Sequence, residues 1–293
     1  MRSNPRIITM VFVLTSVLIS TPALAADPLP KEAGFSGFFR PGVGHLDMKT
    51  NMVAEVLGWD LSSDPIDALT ASPGGESNGI VLFPFQINYT FSNLATEAFI
   101  GTELMDLARF DMAQQLGIRQ QLGNVGILQA GVLFSGIVAK VWSDPYVTGQ
   151  PRSTTDRDSS GARLAWGRIM GSNLDFTYTY RTIDIDDERS GVTLGLSAVD
   201  RALLERDGDK HDFEIAYAFD LSRTHKLIPA FTYLLDDRDG EARKNDEYMF
   251  QLTYAYVGAD PFSLTLNGKI GWADYDQANP IPAFDGKTQE DDI

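Results

Sequence analysis

The sequence predicts an all-β fold, an antiparallel transmembrane β-barrel of about 12 strands when complete, with 11 strands in this chain and the last one truncated. Three observations lead there. From Phe35 onward apolar and polar residues alternate with period two, the pattern of strands whose two faces meet different environments. The connections between these runs alternate between tight turns and long polar loops. Beyond the N-terminus no apolar stretch reaches the roughly 18 residues of a helical span, so any membrane crossing falls to strands.

The chain opens on an export signal. Arg2 and Arg6 form a basic start, Ile7 to Ile19 an apolar run, and Ala23-Leu24-Ala25 a small-x-small cleavage site. Residues 1–25 are therefore read as a signal peptide and 26–293 as an outer-membrane β-barrel domain, incomplete at its C-terminus, in a Gram-negative bacterium.

The runs span approximately 35–49, 80–91, 96–104, 109–122, 125–142, 160–170, 174–186, 211–221, 225–236, 246–257 and 261–276. In the last, Phe262, Leu264, Leu266, Ile270 and Trp272 share one face while Ser263, Thr265, Asn267 and Lys269 share the other. The eighth repeats this, Phe213, Ile215, Tyr217 and Phe219 opposing Asp212, Glu214, Ala216 and Ala218. Tight turns fall at Ser92-Asn93, Gly123-Asn124, Gly171-Ser172-Asn173, Ser222-Arg223-Thr224 and Gly258-Ala259-Asp260. The other connections, about 50–79, 143–159, 187–210, 237–245 and 277–292, are long and polar, with only Met105 to Ala108 short. Lipid cannot hydrogen-bond a free backbone, so a spanning sheet must close on itself with its apolar face outward. Tyr89, Trp142, Tyr256 and Trp272, near strand ends, are assigned to interfacial belts. An odd strand count should leave a free edge between the first and eleventh strands.

Composition excludes several classes. With 40 acidic against 24 basic residues and a formal charge of -16, no basic stripe is available for nucleic acid. Without cysteine there is neither a disulfide framework nor a thiolate metal site. The three histidines, His45, His211 and His225, stand in no His-x-Ser pattern, and Pro73-Gly74-Gly75 lacks the Lys and Ser/Thr of a phosphate cradle. The chain is read as no enzyme, with no cofactor.

Strand parity places Arg40, Gln86, Asn88, Glu97, Glu103, Arg109, Asp111, Gln115, Arg119, Gln129, Arg163, Asp175, Arg181, Asp212, Glu214, Gln251 and Lys269 inward. Among these, Arg40, Glu97, Glu103, Arg109, Asp111, Arg119, Arg163, Asp175, Arg181, Asp212, Glu214 and Lys269 are the lumen and constriction candidates. Long charged side chains in a barrel of about 12 strands imply a narrow or nearly occluded bore. Such a ladder suits passage of a small hydrophilic solute, its arginines favouring anions, and suits equally a salt-bridged core that stiffens the barrel. The alternative function is a closed structural or surface-binding barrel acting through long acidic outer loops. Ser197 to Glu205, ended by Gly208, carries a capping-box start and predicts a short helix within one such loop. Acidic clusters offer weak calcium candidates, Asp236, Asp237, Asp239 and Glu241, but no full calcium loop. The partners implied are outer-membrane lipid and lipopolysaccharide and the barrel-assembly machinery; the sequence names no solute.

Five stretches carry a family resemblance: Gly34-Phe-Ser-Gly-Phe38, Asp144-Pro-Tyr-Val-Thr-Gly-Gln, Thr155-Asp-Arg157, Arg168-Ile-Met-Gly-Ser172 and Tyr180-Arg-Thr-Ile-Asp-Ile-Asp186. They resemble an uncharacterised family of Gram-negative outer-membrane proteins, domain of unknown function 2860, from Gly34 to the end. The resemblance implies location and barrel architecture and brings no catalytic residues.

Overall fold

A computed structural model describes residues 8–12, 28–39, 41–56, 58–62, 65–71, 75–91, 95–102, 113–135, 139–259 and 262–288. Its strands are β1 (Ile8–Phe12), β2 (Gly34–Phe39), β3 (Gly42–Lys49), β4 (Val53–Val56), β5 (Trp59–Asp60), β6 (Gly75–Leu82), β7 (Phe85–Phe91), β8 (Thr96–Thr102) and β9 (Ala113–Gln121). They continue with β10 (Ile127–Ser135), β11 (Ala139–Trp142), β12 (Thr154–Gly167), β13 (Leu174–Ile185), β14 (Gly208–Tyr217), β15 (Phe219–Asp220), β16 (His225–Arg238), β17 (Asn245–Ala259) and β18 (Phe262–Tyr275). One antiparallel sheet runs β1-β18-β17-β16-β14-β13-β12-β10-β9-β8-β7-β2, with β4, β5, β11 and β15 attached, and β3 pairs β6 in a separate ribbon.

Several expectations are corrected. The run 35–49 divides into β2 and β3, and 80–91 into β6 and β7, because Pro41 and Pro84 fall between the paired ends Phe39–Phe85 and Gly42–Leu82. Neither proline has an N–H for the ladder, so pairing breaks there and the β3–β6 ribbon leaves the sheet. The run 125–142 divides into β10 and β11, and β11 pairs with β4 as well as β12. The edge of β18 expected to be free is paired over Asn267 to Gly271 by β1, which lies within the segment read as the export signal. Among the described residues β2 pairs with β7 alone, so the described pairings leave the sheet open between β1 and β2.

Cross-strand partners share a face, so the register traces rows of side chains around the sheet. One row runs Glu97, Arg119, Gln129, Ala165, Thr177, Glu214, Thr232, Met249, Gly271. The next carries Arg163, Thr179, Asp212, Leu234, Glu247 and Ala273. Polar members of this face are buried: Glu97 is 3% exposed, Gln115 2% and Asp212 6%. The opposite face is apolar and open, with Ile118 55% exposed, Leu164 54% and Leu252 50%. A soluble sheet has the reverse arrangement.

Among the described residues the tight turns β9–β10, β12–β13 and β15–β16 lie at one end of the sheet and the long connections β11–β12, β13–β14 and β16–β17 at the other. At the loop end the described residues carry a hydrophobic core of Tyr146, Leu204, Ala242 and Ile281, with Leu69, Leu196, Leu203 and Phe284 against it. These residues come from the connections β5–β6, β11–β12, β13–β14 and β16–β17 and from the segment after β18. The predicted loop helix is present as α1 (Ala198–Ala202), its N-cap Ser197 accepting from the Asp200 amide. Trp142, assigned to an interfacial belt, is instead buried in this cap. Its Nε1 donates to Ser62 Oγ at 2.8 Å and the Arg152 guanidinium stacks on its ring at 4.0 Å.

On the inner face β12 and β13 pass close at Gly161, where a Cβ would stand 1.9 Å from the Tyr180 carbonyl oxygen. Overpacking of this kind costs about 1–3 kcal/mol. Gly161→Val should lower the unfolding free energy of the refolded protein by that amount, read as a lower urea midpoint at unchanged slope, whereas Ser160→Val, on the exposed face one residue away, should leave the midpoint unchanged; equal midpoints would contradict the close approach.

Candidate functional site

The candidate site has two parts, the charged inner face of the sheet and the cap that stands at its loop end. Alternation alone brings the first together. At the turn end Glu97 pairs with Arg119 at 2.9 Å and accepts from Thr90 Oγ1 at 3.3 Å. Arg119 also reaches Asn88 Oδ1 at 3.4 Å and lies 4.7 Å over the Phe99 ring. Toward the loop end Arg163 Nε donates to Thr179 Oγ1 at 2.9 Å, and Asp212 is in the same row. One row further stand Arg181, Lys210 and Asp236, the last two paired at 3.0 Å, with Arg238 also on Asp236. Glu214 accepts from Thr232 Oγ1 at 3.4 Å.

The remaining candidates are spread more widely. Asp175 accepts from the Arg168 amide at 2.7 Å and so ties the β12–β13 turn. Lys269 stands opposite Gln251 in the turn half of the sheet. Arg40, Glu103, Arg109 and Asp111 lie outside the described residues. Parity had not been followed to Lys210, Arg238 or Glu247 in the sequence. The signal was there, because β14 begins at Gly208 and β16 runs to Arg238 with even-numbered residues inward, and Glu247 shares the odd parity of Gln251 on β17.

Of the calcium candidates, Asp236 is committed to Lys210 and Arg238, while Asp237 and Glu241 bind Lys244 at 3.2 and 2.9 Å. Among the described residues no group of three or more His, Asp or Glu side chains is placed to hold a metal ion. His211 Nδ1 meets the Tyr178 hydroxyl at 2.9 Å and His225 Nδ1 that of Tyr254 at 2.6 Å. His45 Nε2 lies 3.1 Å from Ser77 Oγ on the exposed β3–β6 ribbon, a neighbour that strand pairing supplies and linear sequence hides.

The cap is knit by buried polar contacts. Arg206 forks onto Glu188, Nε to Oε2 at 2.5 Å and one terminal nitrogen to Oε1 at 3.1 Å, and also donates to the carbonyls of Trp142 and Ser143. Both side chains are more than nine-tenths buried. Asp144 accepts from the amides of Tyr146, Gly191 and Thr193. Arg243 donates to the Tyr146 hydroxyl at 2.9 Å. Burial, followed by the nearby carboxylates of Glu188, Asp207 and Asp239, raises the Glu205 carboxyl above its ordinary 4.5. Burial also raises Asp207 above 3.8, against the opposing hydrogen bond from the Ile185 amide.

This arrangement defines a class, an antiparallel all-β protein whose polar face is buried and whose apolar face is open. Within that class the chain belongs to the family described as Protein of unknown function (DUF2860), whose model matches residues 34–293. No curated protein matches it. Among solved structures it is similar to OmpTdeltaL8, a loop L8 deletion mutant of OmpT, an outer membrane protein of Vibrio cholerae. The identity is 10% and the TM-score 0.41, over 82% of this chain and 99% of that one.

Removing one partner of a buried ion pair costs about 3–5 kcal/mol, far more than losing a surface pair. Arg206→Ala should therefore open the cap: trypsin, slow on the native protein, should cut rapidly at Arg189 and Arg201, while the strands stay protected. Unchanged cleavage would contradict the role given to this pair. The pH dependence has a definite sign. Carboxyls with raised folded values hold more protons in the native cap than in the opened one, so the cap gains stability as pH falls through those values and loses it as pH rises. Amide exchange over 186–207, corrected for intrinsic rates, should be slower at mildly acidic than at neutral pH.

Proposed function

We propose that this is an outer-membrane β-barrel protein that lets small hydrophilic solutes through a narrow, charged bore. The observation that carries the reading is the inversion of the two faces, polar side chains enclosed and apolar side chains open. A surface rich in exposed Phe, Leu, Ile and Val is an aggregation hazard in water and the ordinary condition against acyl chains.

The outer face has the dimensions and edges this setting asks for. Along β17, Tyr248, Phe250, Leu252, Tyr254 and Tyr256 share it. From Tyr248 to Tyr256 a strand rises about 26 Å, and a tilt of ~40° leaves about 20 Å across the membrane, close to the ~25 Å apolar band of such barrels. Both margins are aromatic. Tyr248 packs with Tyr233 and Trp272 at one end, beneath a row carrying Asp246 and Asp274, and Tyr254 and Tyr256 pack with His225 at the other. Residues 1–25 act as the export signal, and their removal frees the β18 edge that β1 covers. Lipid, lipopolysaccharide and the assembly machinery are the partners of that location. We assign the protein no catalytic role.

Inside, Arg163, Arg181, Lys210 and Arg238 stand with Asp212, Asp236 and Glu247 in the loop half, a charged constriction for a small polar solute. A second reading, a closed barrel that binds at the cell surface through its loops, is favoured by the packed cap of Tyr146, Leu204, Ala242 and Ile281. Planar-bilayer recording separates them. The intact protein should give small conductance steps, and a variant with residues 191–203 replaced by a short Gly-Ser linker should give larger ones. No steps from either would overturn passage and leave the closed barrel.

A further inference from the structure

The connection between β13 and β14 folds around a cavity of about 220 Å³. It is open to solvent on one side and smaller than the roughly 300–1,000 Å³ of drug-sized sites, a size that suits a small molecule. Hydrogen bonds tie its walls together. Glu188 is held by Arg206 and by the Ser190 amide at 2.8 Å, and Asp144 holds the Gly191 and Thr193 amides. Gly191 adopts φ +78°, and a Cβ there would stand 2.5 Å from Leu196 Cδ1, so the turn that shapes the cavity requires glycine.

Two polar groups on these walls lack a hydrogen-bond partner, and a third is crowded by like charge. Ser190 is 4% exposed and its hydroxyl has no hydrogen-bond partner. Arg201 Nε is buried without a partner, and among the described residues its guanidinium forms no ion pair. Buried donors of this kind are destabilising unless something supplies an acceptor. Glu205, on the same cavity, shares a hydrogen bond with Asp207 but sits among the negative charges of Glu188, Asp207 and Asp239, which a cation would relieve. Between these groups the wall is aliphatic, from Val192, Ala198 and Ala202.

We propose that this cavity binds a small zwitterion with the chemistry of a free aliphatic amino acid, its carboxylate accepting from Arg201 and Ser190 and its ammonium donating to Glu205. A planar guanidinium suits a carboxylate, and an ammonium beside a crowded carboxylate gains from its charge. The site lies in the outer loop, apart from the bore, and holds whether or not the bore conducts.

Calorimetric titration of the full chain in detergent tests it, with L-leucine as probe. Isovalerate keeps the skeleton and carboxylate but lacks the ammonium; isoamylamine keeps the ammonium but lacks the carboxylate. Leucine should bind one per chain and each analogue at least tenfold more weakly. Arg201→Gln and Glu205→Gln should each weaken leucine tenfold or more, Ser190→Ala severalfold, and Arg223→Gln, in a turn at the far end of the sheet, not at all. Far-UV circular dichroism reports that each variant is folded. Absence of leucine binding, isovalerate binding as tightly as leucine, or undiminished affinity in folded Arg201→Gln would overturn the proposal.

Discussion

The constraint from which the rest follows is burial of the polar face. The side chains of Glu97, Arg119, Arg163, Thr179, Asp212 and Asp236 project from one side of a continuous antiparallel sheet and are nearly all withdrawn from solvent. Polar and charged groups in that position must find partners among themselves, because desolvation without a partner costs more than most single contacts return. The ion pairs of Arg119 with Glu97 and of Lys210 and Arg238 with Asp236 answer that requirement row by row. The apolar face carries no such obligation and is free to meet a hydrocarbon surface.

The loop end follows different rules. There Tyr146, Leu204, Ala242 and Ile281 form a small core of the ordinary kind, apolar inside, and Arg206, Asp144 and Arg243 satisfy the backbone and side-chain groups around it. One chain thus holds two opposite solutions to burial, joined where the strands emerge from the sheet. The buried Arg206–Glu188 pair serves both the packing of the cap and the wall of the cavity beside Ser190, so loop order and the shape of that cavity are properties of one network.

How much of this was legible in the sequence depends on the range of the interaction. Strand existence and parity were, because alternation such as Phe213, Ile215, Tyr217 against Asp212, Glu214 is written in adjacent residues. So were the tight turns and the Ser197 cap of α1, whose chemistry is local. The breaks at Pro41 and Pro84 were readable in principle but masked by the continuous period-two pattern on either side. Trp142 was misassigned because nothing local distinguishes a belt residue from one that hydrogen-bonds Ser62, 80 positions away. The Arg206–Glu188 pair, the cap core and the Ser190 cavity depend on contacts between loops distant in sequence, and composition recorded only that those loops are polar and acidic.

The central claim, that the apolar face of the sheet touches acyl chains, is tested most directly by spin labelling, for which a chain without cysteine is well suited. Single labels at Leu164→Cys, Ile215→Cys, Phe250→Cys and Leu252→Cys in lipid vesicles should collide with dissolved oxygen and be shielded from a water-soluble nickel reagent. Labels at Thr177→Cys and Gln251→Cys should be shielded from oxygen. Equal access of the nickel reagent to both sets, alternating with nothing along β17, would contradict the account.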